Sequence, residues 1–163
     1  MFKGKWKIYR KIINYRDFST CVIAIGEAIF YDFGNNNSLL QENVSINWAN
    51  SSNSNATKSY LFRIENEREN PNSLSIYNFN QPVKLLSGRH FTEDFLPERE
   101  LMHKLDNFTF NSGSKYKSLY ICGSDRYALS FTIISDNSFA MDYNIKGPSK
   151  NYHIQSIYSK YST

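Results

Sequence analysis

The chain has 163 residues, which is enough for one domain, and we expect a single domain over residues 1–163. The 12 Tyr, 12 Phe and 2 Trp make aromatic residues 16% of the sequence, while 7 Gly and 4 Pro are few. This composition excludes a disordered or collagen-like chain, and the length excludes a multidomain enzyme. The formal charge of +4, from 19 basic and 15 acidic residues, is mild and names no partner by itself.

Apolar and polar residues alternate along nearly the whole chain, as they do in half-buried strands. In the first predicted strand, residues 5–12, Trp6 and Ile8 fall on one face and Lys5 and Lys7 fall on the other. Further strands, rich in Ile, Val, Tyr and Phe, are predicted over residues 21–33, 39–48, 59–65, 74–79, 83–90, 116–122, 127–135, 139–146 and 152–161.

The segments between these strands carry turn residues, chiefly Asn, Gly, Ser and Pro. The Asn- and Ser-rich residues 49–55 are predicted to form a long hairpin tip, and residues 97–105 are the one segment where a short helix is considered. Nine or ten short strands joined by hairpins predict an all-β antiparallel meander. Closure into a barrel of 8–10 strands removes the exposed edges of such a sheet, and a β-sandwich is the competing architecture.

The two cysteines, Cys21 and Cys122, lie far apart in apolar runs, so we expect them to behave as small buried hydrophobic residues. The sequence neither requires nor excludes a disulfide between them. No Cys or His spacing is typical of a metal site, and neither a metal nor a cofactor is expected. The first residues are basic, with no apolar segment after them, and the longest apolar stretch is far too short to span a membrane. We therefore expect a cytoplasmic protein without a membrane span.

A set of short motifs occurs in order along the chain. It comprises Gly4-Lys5-Trp6, Met102-His103-Lys104-Leu105-Asp106, the segment from Tyr120 to Tyr127, Gly147-Pro148-Ser149-Lys150-Asn151-Tyr152 and Tyr158-Ser159-Lys160. This series resembles the lipocalin-like family labelled domain of unknown function 6314, and the resemblance covers the whole chain.

The resemblance implies a lipocalin-like β-barrel in which Trp6 closes one end beneath a basic residue of the last strand, here Lys160. It also matches Arg10 to an arginine that follows the Gly-x-Trp motif in the family. It supplies no reaction, because the family has no established activity. The chain departs from the family pattern at several positions: Tyr120 replaces His, Met102 replaces Phe, Asn151 replaces Asp, Lys160 replaces Arg, and residues 81–100 look like an insertion.

Within such a barrel, His103, Asp125 and Tyr127 form a candidate polar spot in an aromatic cavity, with Lys150 at the rim after a tight turn. The structural alternative has Asp125 capping the turn at Gly123 and Tyr127 packed in the core. A set of Cys122, His103 and Asp125 for nucleophilic catalysis is conceivable, but sequence cannot place it, and catalytic residues stay unassigned. The candidate ligand-binding residues are Trp6, Arg63, His103, Tyr120, Asp125, Tyr127 and Lys150.

Three functions are compatible with these residues. The leading hypothesis is a binding module that holds a hydrophobic or amphipathic small molecule in an aromatic-lined barrel. The second is an isomerase, cyclase or lyase that uses His103, Asp125 and Tyr127 as acid–base groups. The third, least expected, is binding of phosphate or single-stranded nucleic acid through the alternating lysines of the first strand.

Overall fold

The computed structural model describes residues 2–16, 21–32, 34, 36–47, 53–65, 72–79 and 100–161. These residues form ten strands and no helix. The strands are β1 (Gly4–Asn14), β2 (Cys21–Asp32), β3 (Asn37–Asn47), β4 (Asn53–Glu65), β5 (Ser73–Asn78), β6 (Glu100–Leu105), β7 (Lys115–Cys122), β8 (Asp125–Ser135), β9 (Ser138–Lys146) and β10 (Asn151–Lys160).

All ten strands belong to one antiparallel sheet with the order β6-β5-β4-β3-β2-β1-β10-β9-β8-β7. Strands that follow one another in the chain are neighbours in the sheet, with the exception of β6 and β7, and β1 pairs with β10 to join the two halves. The two outermost strands, β6 and β7, approach each other without a backbone hydrogen-bond ladder among the described residues. The sheet is therefore a nearly closed barrel, and the predicted all-β antiparallel barrel is confirmed.

The core is densest at one end of the barrel, which we call the closed end. Phe2, Trp6, Phe30 and Phe139 are all buried there, and their ring centroids lie 4.9–6.2 Å apart. Most of these contacts are edge-to-face or tilted, which are arrangements that the aromatic quadrupole favours. Much of the aromatic content therefore fills this end as packed core.

Two local expectations need correction. The expectation of a short helix within residues 97–105 is wrong for residues 100–105, the described part of this segment, because they form strand β6 and pair with β5. Here the alternate burial of His103 and Leu105 has a period of two, not the helical period. Strand β4 begins at Asn53, so it includes part of the expected hairpin tip over residues 49–55. The strand predicted over residues 83–90 lies outside the described residues.

The expectation for the cysteines is also wrong. Both thiols are free, and both residues are exposed. Cys21 is the first residue of β2 and Cys122 is the last residue of β7, where the ends of the sheet leave side chains uncovered. In the described part of the chain, no helix is long and apolar enough to cross a membrane.

Candidate ligand-binding site

A buried ion pair lies inside the barrel. Arg10 shares the inward face of β1 with Trp6 and Ile8, and Glu42 lies between the buried Leu40 and Val44 on β3. Arg10 Nη2 lies 2.9 Å from Glu42 Oε2, and the exposed fractions of the two side chains are 16% and 1%. Because the carboxylate is almost fully removed from water, the guanidinium is its necessary counter-charge.

Two hydroxyl groups complete this polar cluster. Arg10 Nε donates to Ser156 Oγ at 2.7 Å, and Arg10 Nη2 also donates to the Tyr158 hydroxyl at 3.0 Å. The Tyr158 hydroxyl donates to Glu42 Oε1. Burial, and then the nearby Glu42, raise the pKa of Tyr158 well above its usual value, so that this hydroxyl stays neutral. Arg10, Glu42, Ser156 and Tyr158 are called the inner cluster below.

A cavity of about 190 Å³ adjoins the inner cluster. A cavity of roughly 150 Å³ in a protein core holds a benzene molecule, so this one has room for a single substituted ring. Its apolar walls come from Met102, Met141, Ile145 and Ile154. The other lining residues are polar or aromatic: Arg10, Lys58, Tyr60, Tyr127, Tyr143, Ser156 and Tyr158.

His103 and Tyr143 are a buried polar pair beside this cavity. Their ring centroids lie 5.5 Å apart, and neither His103 nitrogen nor the Tyr143 hydroxyl has a hydrogen-bond partner among the described residues. Burial lowers the pKa of His103 to about 4, which keeps the imidazole neutral near pH 7. Burial also raises the pKa of Tyr143, and Tyr60 and Glu42 raise it further.

A second polar cluster lies where strand β8 begins and strand β9 ends. Lys150 Nζ lies 2.5 Å from Asp125 Oδ2 and donates to the Tyr127 hydroxyl at 2.8 Å. The hydrogen bonds that Lys150 donates to Asp125 and Tyr127 raise the pKa of Lys150. Asp125, Tyr127 and Lys150 are called the mouth cluster below.

Glycines make the mouth cluster possible. Gly123 has φ +59° and lies between Cys122 and Asp125, which are paired across the turn from β7 to β8. A glycine with positive φ at this first turn position is typical of a type II′ hairpin. Gly147 packs directly against Asp125, where a Cβ atom would come within 1.8 Å of Asp125 Oδ1. The Gly-Pro-Ser-Lys sequence therefore both admits the carboxylate and brings Lys150 to it.

Five of the seven predicted site residues come together. Asp125, Tyr127 and Lys150 form the mouth cluster, and Tyr120 lies 5.7 Å from Tyr127 and 6.2 Å from His103, between ring centroids. The Tyr120 hydroxyl also donates to Glu100, which links β7 to β6 across the open seam of the sheet.

The other two predicted site residues lie elsewhere. Trp6 belongs to the closed end, with Lys160 opposite it in the register of β1 and β10. Arg63 lies on the opposite face of β4 from Tyr60 and Phe62, which point into the barrel, and it does not line the cavity. The alternation of β4 therefore places Arg63 on the face of the strand opposite the cavity, and its role as a ligand-binding residue stays a prediction.

The set of Cys122, His103 and Asp125 is not hydrogen-bonded together. The His103 nitrogens have no partner in the described chain, and Asp125 pairs with Lys150. Among the described residues, no group of three or more His, Cys, Asp and Glu side chains is placed to hold a metal ion.

Sequence reasoning missed the inner cluster and most of the cavity lining. A signal was present, since Arg10 has the same even-numbered position as Trp6 and Ile8, whereas the lysines of the first strand are at odd-numbered positions. Glu42 similarly alternates with Leu40 and Val44. Two opposite charges on the apolar faces of two strands predict a buried ion pair. Arg10 was overlooked as its basic partner because it is one of several basic residues near the N-terminus.

The fold and its interior cavity place this protein among lipocalin-like β-barrels. The chain belongs to the family of unknown function DUF6314, whose sequence model matches residues 2–160. No curated protein sequence matches it. Among solved structures, it is similar to the S-type phycobiliprotein lyase CPES from Guillardia theta, with a TM-score of 0.55 and 7% identity over 99% of this chain and 89% of that chain. At this identity the likeness shows the fold alone.

Proposed function

We propose that this protein binds a small amphipathic molecule inside its barrel. The observation that carries the proposal is the cavity of about 190 Å³, which has a buried polar cluster on one wall and methionine and isoleucine side chains on another. Ligand sites commonly combine mostly apolar walls with a few fixed polar groups that set the orientation of the ligand.

The polar wall is organised before any ligand binds. Ser156, Glu42 and Tyr158 hold Arg10 through three hydrogen bonds, so the guanidinium has little freedom to lose. Preorganisation of this kind reduces the entropic cost of binding. Met102 and Met141 add flexible apolar surface that adjusts to the shape of a ligand.

The unpartnered atoms of His103 and Tyr143 also support a binding role. A buried polar atom without a hydrogen bond costs roughly 1–3 kcal/mol, and folded proteins contain few of them. Three such atoms in one adjoining pair of side chains are costly for a core whose only role is structural. A ligand that supplies their hydrogen bonds offsets this cost.

The alternative functions have weaker support. An enzyme that uses His103, Asp125 and Tyr127 needs the three groups around one substrate. In the structure Lys150 donates hydrogen bonds to both Asp125 and Tyr127, whereas the buried His103 is hydrogen-bonded to neither of them. Binding of nucleic acid through the first strand stays a prediction. Its lysines do lie on the outer face of β1, with Lys7 Nζ 5.0 Å from the centroid of the Tyr161 ring.

The test is a cavity-filling substitution with a matched control on the same strand. Ile154 lines the cavity, whereas Ile157 lies on the outer face of β10 with an exposed fraction of 44%. We expect single-ring probes such as propylbenzene and 4-ethylphenol to bind the unmodified protein in calorimetric titrations. Ile154→Trp should abolish this binding and Ile157→Trp should preserve it.

Two results would count against the proposal. One is that no probe binds and that native mass spectrometry of freshly purified protein shows no bound molecule. The other is that both tryptophan variants bind the probes equally, which would place binding on the outer surface of the barrel. Met102→Trp fills the cavity from another strand and gives a second reading if Ile154→Trp fails to fold.

A further inference from the structure

The charges of the inner cluster are already balanced. Arg10 and Glu42 neutralise each other at 2.9 Å, and the remaining polar side chains around them are hydroxyl groups. A carboxylate on a ligand would meet a guanidinium whose counter-charge is already present, and it would also approach the buried carboxylate of Glu42. An ammonium group would meet the guanidinium itself. Because burying an unpaired charge is costly, this wall favours neither ion.

His103 and Tyr143 offer hydrogen bonds without charge. A neutral imidazole has one N–H donor and one nitrogen acceptor, and the Tyr143 hydroxyl both donates and accepts. Tyr143 lines the cavity, His103 packs against it, and Met102, the residue before His103, also lines the cavity. The Tyr143 hydroxyl thus lines the cavity without a hydrogen-bond partner, and the nitrogens of the neighbouring His103 also lack one among the described residues.

The cavity also has an exposed cation. Lys58 lines the cavity, is exposed to solvent, and has its Nζ 5.7 Å from the centroid of the Tyr60 ring. It has no carboxylate within ion-pairing distance in the described part of the chain. A negative charge elsewhere on a ligand therefore has Lys58 as its partner.

We infer that the group which the ligand places against Tyr143 and His103 is uncharged and both donates and accepts hydrogen bonds, as an amide, an alcohol or a phenol does. This inference rests on the proposed function and specifies the chemical class of the ligand. It distinguishes the site from one that recognises a carboxylate through a free arginine, because Arg10 is already paired.

Three nearly isosteric probes test the inference: 4-ethylbenzamide, 4-ethylbenzoate and 4-ethylbenzamidine, which at pH 7 are neutral, anionic and cationic. Their affinities are measured by calorimetric titration of the full chain, with propylbenzene as an apolar reference. In the Lys58→Met variant, where a carboxylate no longer has this exposed cation to pair with, we expect 4-ethylbenzamide to bind at least about tenfold more tightly than either ion, a factor that corresponds to about 1.4 kcal/mol.

Variants assign this preference to the buried pair. Tyr143→Phe removes one hydroxyl and His103→Phe removes the imidazole. Each should lower the affinity for 4-ethylbenzamide severalfold and leave the affinity for propylbenzene unchanged. Lys117→Met, on the outer face of β7, is the control and should change neither affinity. If His103→Phe fails to fold, the smaller change Tyr143→Phe still gives the comparison.

The outcomes separate this inference from the proposed function. If Lys58→Met binds propylbenzene, and binds 4-ethylbenzoate or 4-ethylbenzamidine as tightly as 4-ethylbenzamide, the inference is overturned while the cavity remains a binding site. An amide preference that survives both Tyr143→Phe and His103→Phe would also overturn it. Failure of all four probes to bind would contradict the proposed function itself.

Discussion

The ion pair between Arg10 and Glu42 predicts a large and strongly non-additive effect on stability. In Glu42→Leu the guanidinium keeps its hydrogen bonds to Ser156 and Tyr158 but loses its counter-charge in a site where Glu42 is 1% exposed. Removing one partner of a buried pair costs about 3–5 kcal/mol. For a domain of this size, each kcal/mol lowers Tm by about 2–4 °C, so we expect a decrease of roughly 6–20 °C.

The double variant Arg10→Met/Glu42→Leu should recover most of this loss. Replacing a buried ion pair by apolar side chains of similar volume is often close to neutral, because both desolvation costs disappear together. Urea denaturation followed by circular dichroism gives the free energy of unfolding of both single variants and the double variant. The control is Glu27→Leu, since Glu27 is exposed and accepts a hydrogen bond from Tyr161 at 2.8 Å, and its loss should cost at most about 1 kcal/mol.

Additivity would refute this reasoning. If the two single variants cost about 1 kcal/mol each and the double variant costs their total, the pair is not a coupled buried interaction. The polar wall of the cavity would then lack the fixed geometry on which the proposed binding site depends.

Three further predictions follow from other parts of the barrel. Since the pKa of His103 falls from 6.5 to about 4 on folding, the unfolded chain binds the proton first as the pH falls, and the free energy of unfolding should decline by up to about 3 kcal/mol between pH 6.5 and pH 4. In urea titrations His103→Phe should remove this part of the decline, and an unchanged pH profile would contradict the prediction. Gly147→Ala should displace the Asp125 carboxylate and so lower the pKa of Lys150 toward its ordinary value, as Asp125→Asn should also do. An NMR titration measures this pKa, and an unchanged value would show that the contact between Lys150 and Asp125 is dispensable. Both cysteines should react with dithionitrobenzoate in the folded protein because both are exposed, and two unreactive thiols would contradict the structure.

The fold was largely predictable because its signal is local and repeated. Alternation in β1, β7, β8, β9 and β10 locates each strand within one or two residues, and short hairpins fix their pairing. Strand β6 was harder to predict, because residues 97–105, which include it, are also compatible with a short helix. Its pairing with β5 also spans a long sequence separation. Such long-range pairing is decided by the sheet and not by the segment itself.

The candidate site was predictable only in part. The mouth cluster joins residues that one hairpin and one turn bring together, so Asp125, Tyr127 and Lys150 were accessible to sequence reasoning. The inner cluster joins β1, β3 and β10, and the link between Arg10 and Glu42 becomes visible only when the barrel closes. Sequence also cannot show that the aromatic residues fill one end and leave a cavity farther along, because that outcome depends on packing.

The methionine methyl groups give the most direct test of the claim that the barrel interior binds a small molecule. The chain has 3 Met, of which Met102 and Met141 line the cavity. In protein labelled with 13C at the methionine methyl groups, titration with 4-ethylbenzamide should shift the Met102 and Met141 signals saturably. Saturable binding that leaves both Met102 and Met141 unmoved would contradict the account.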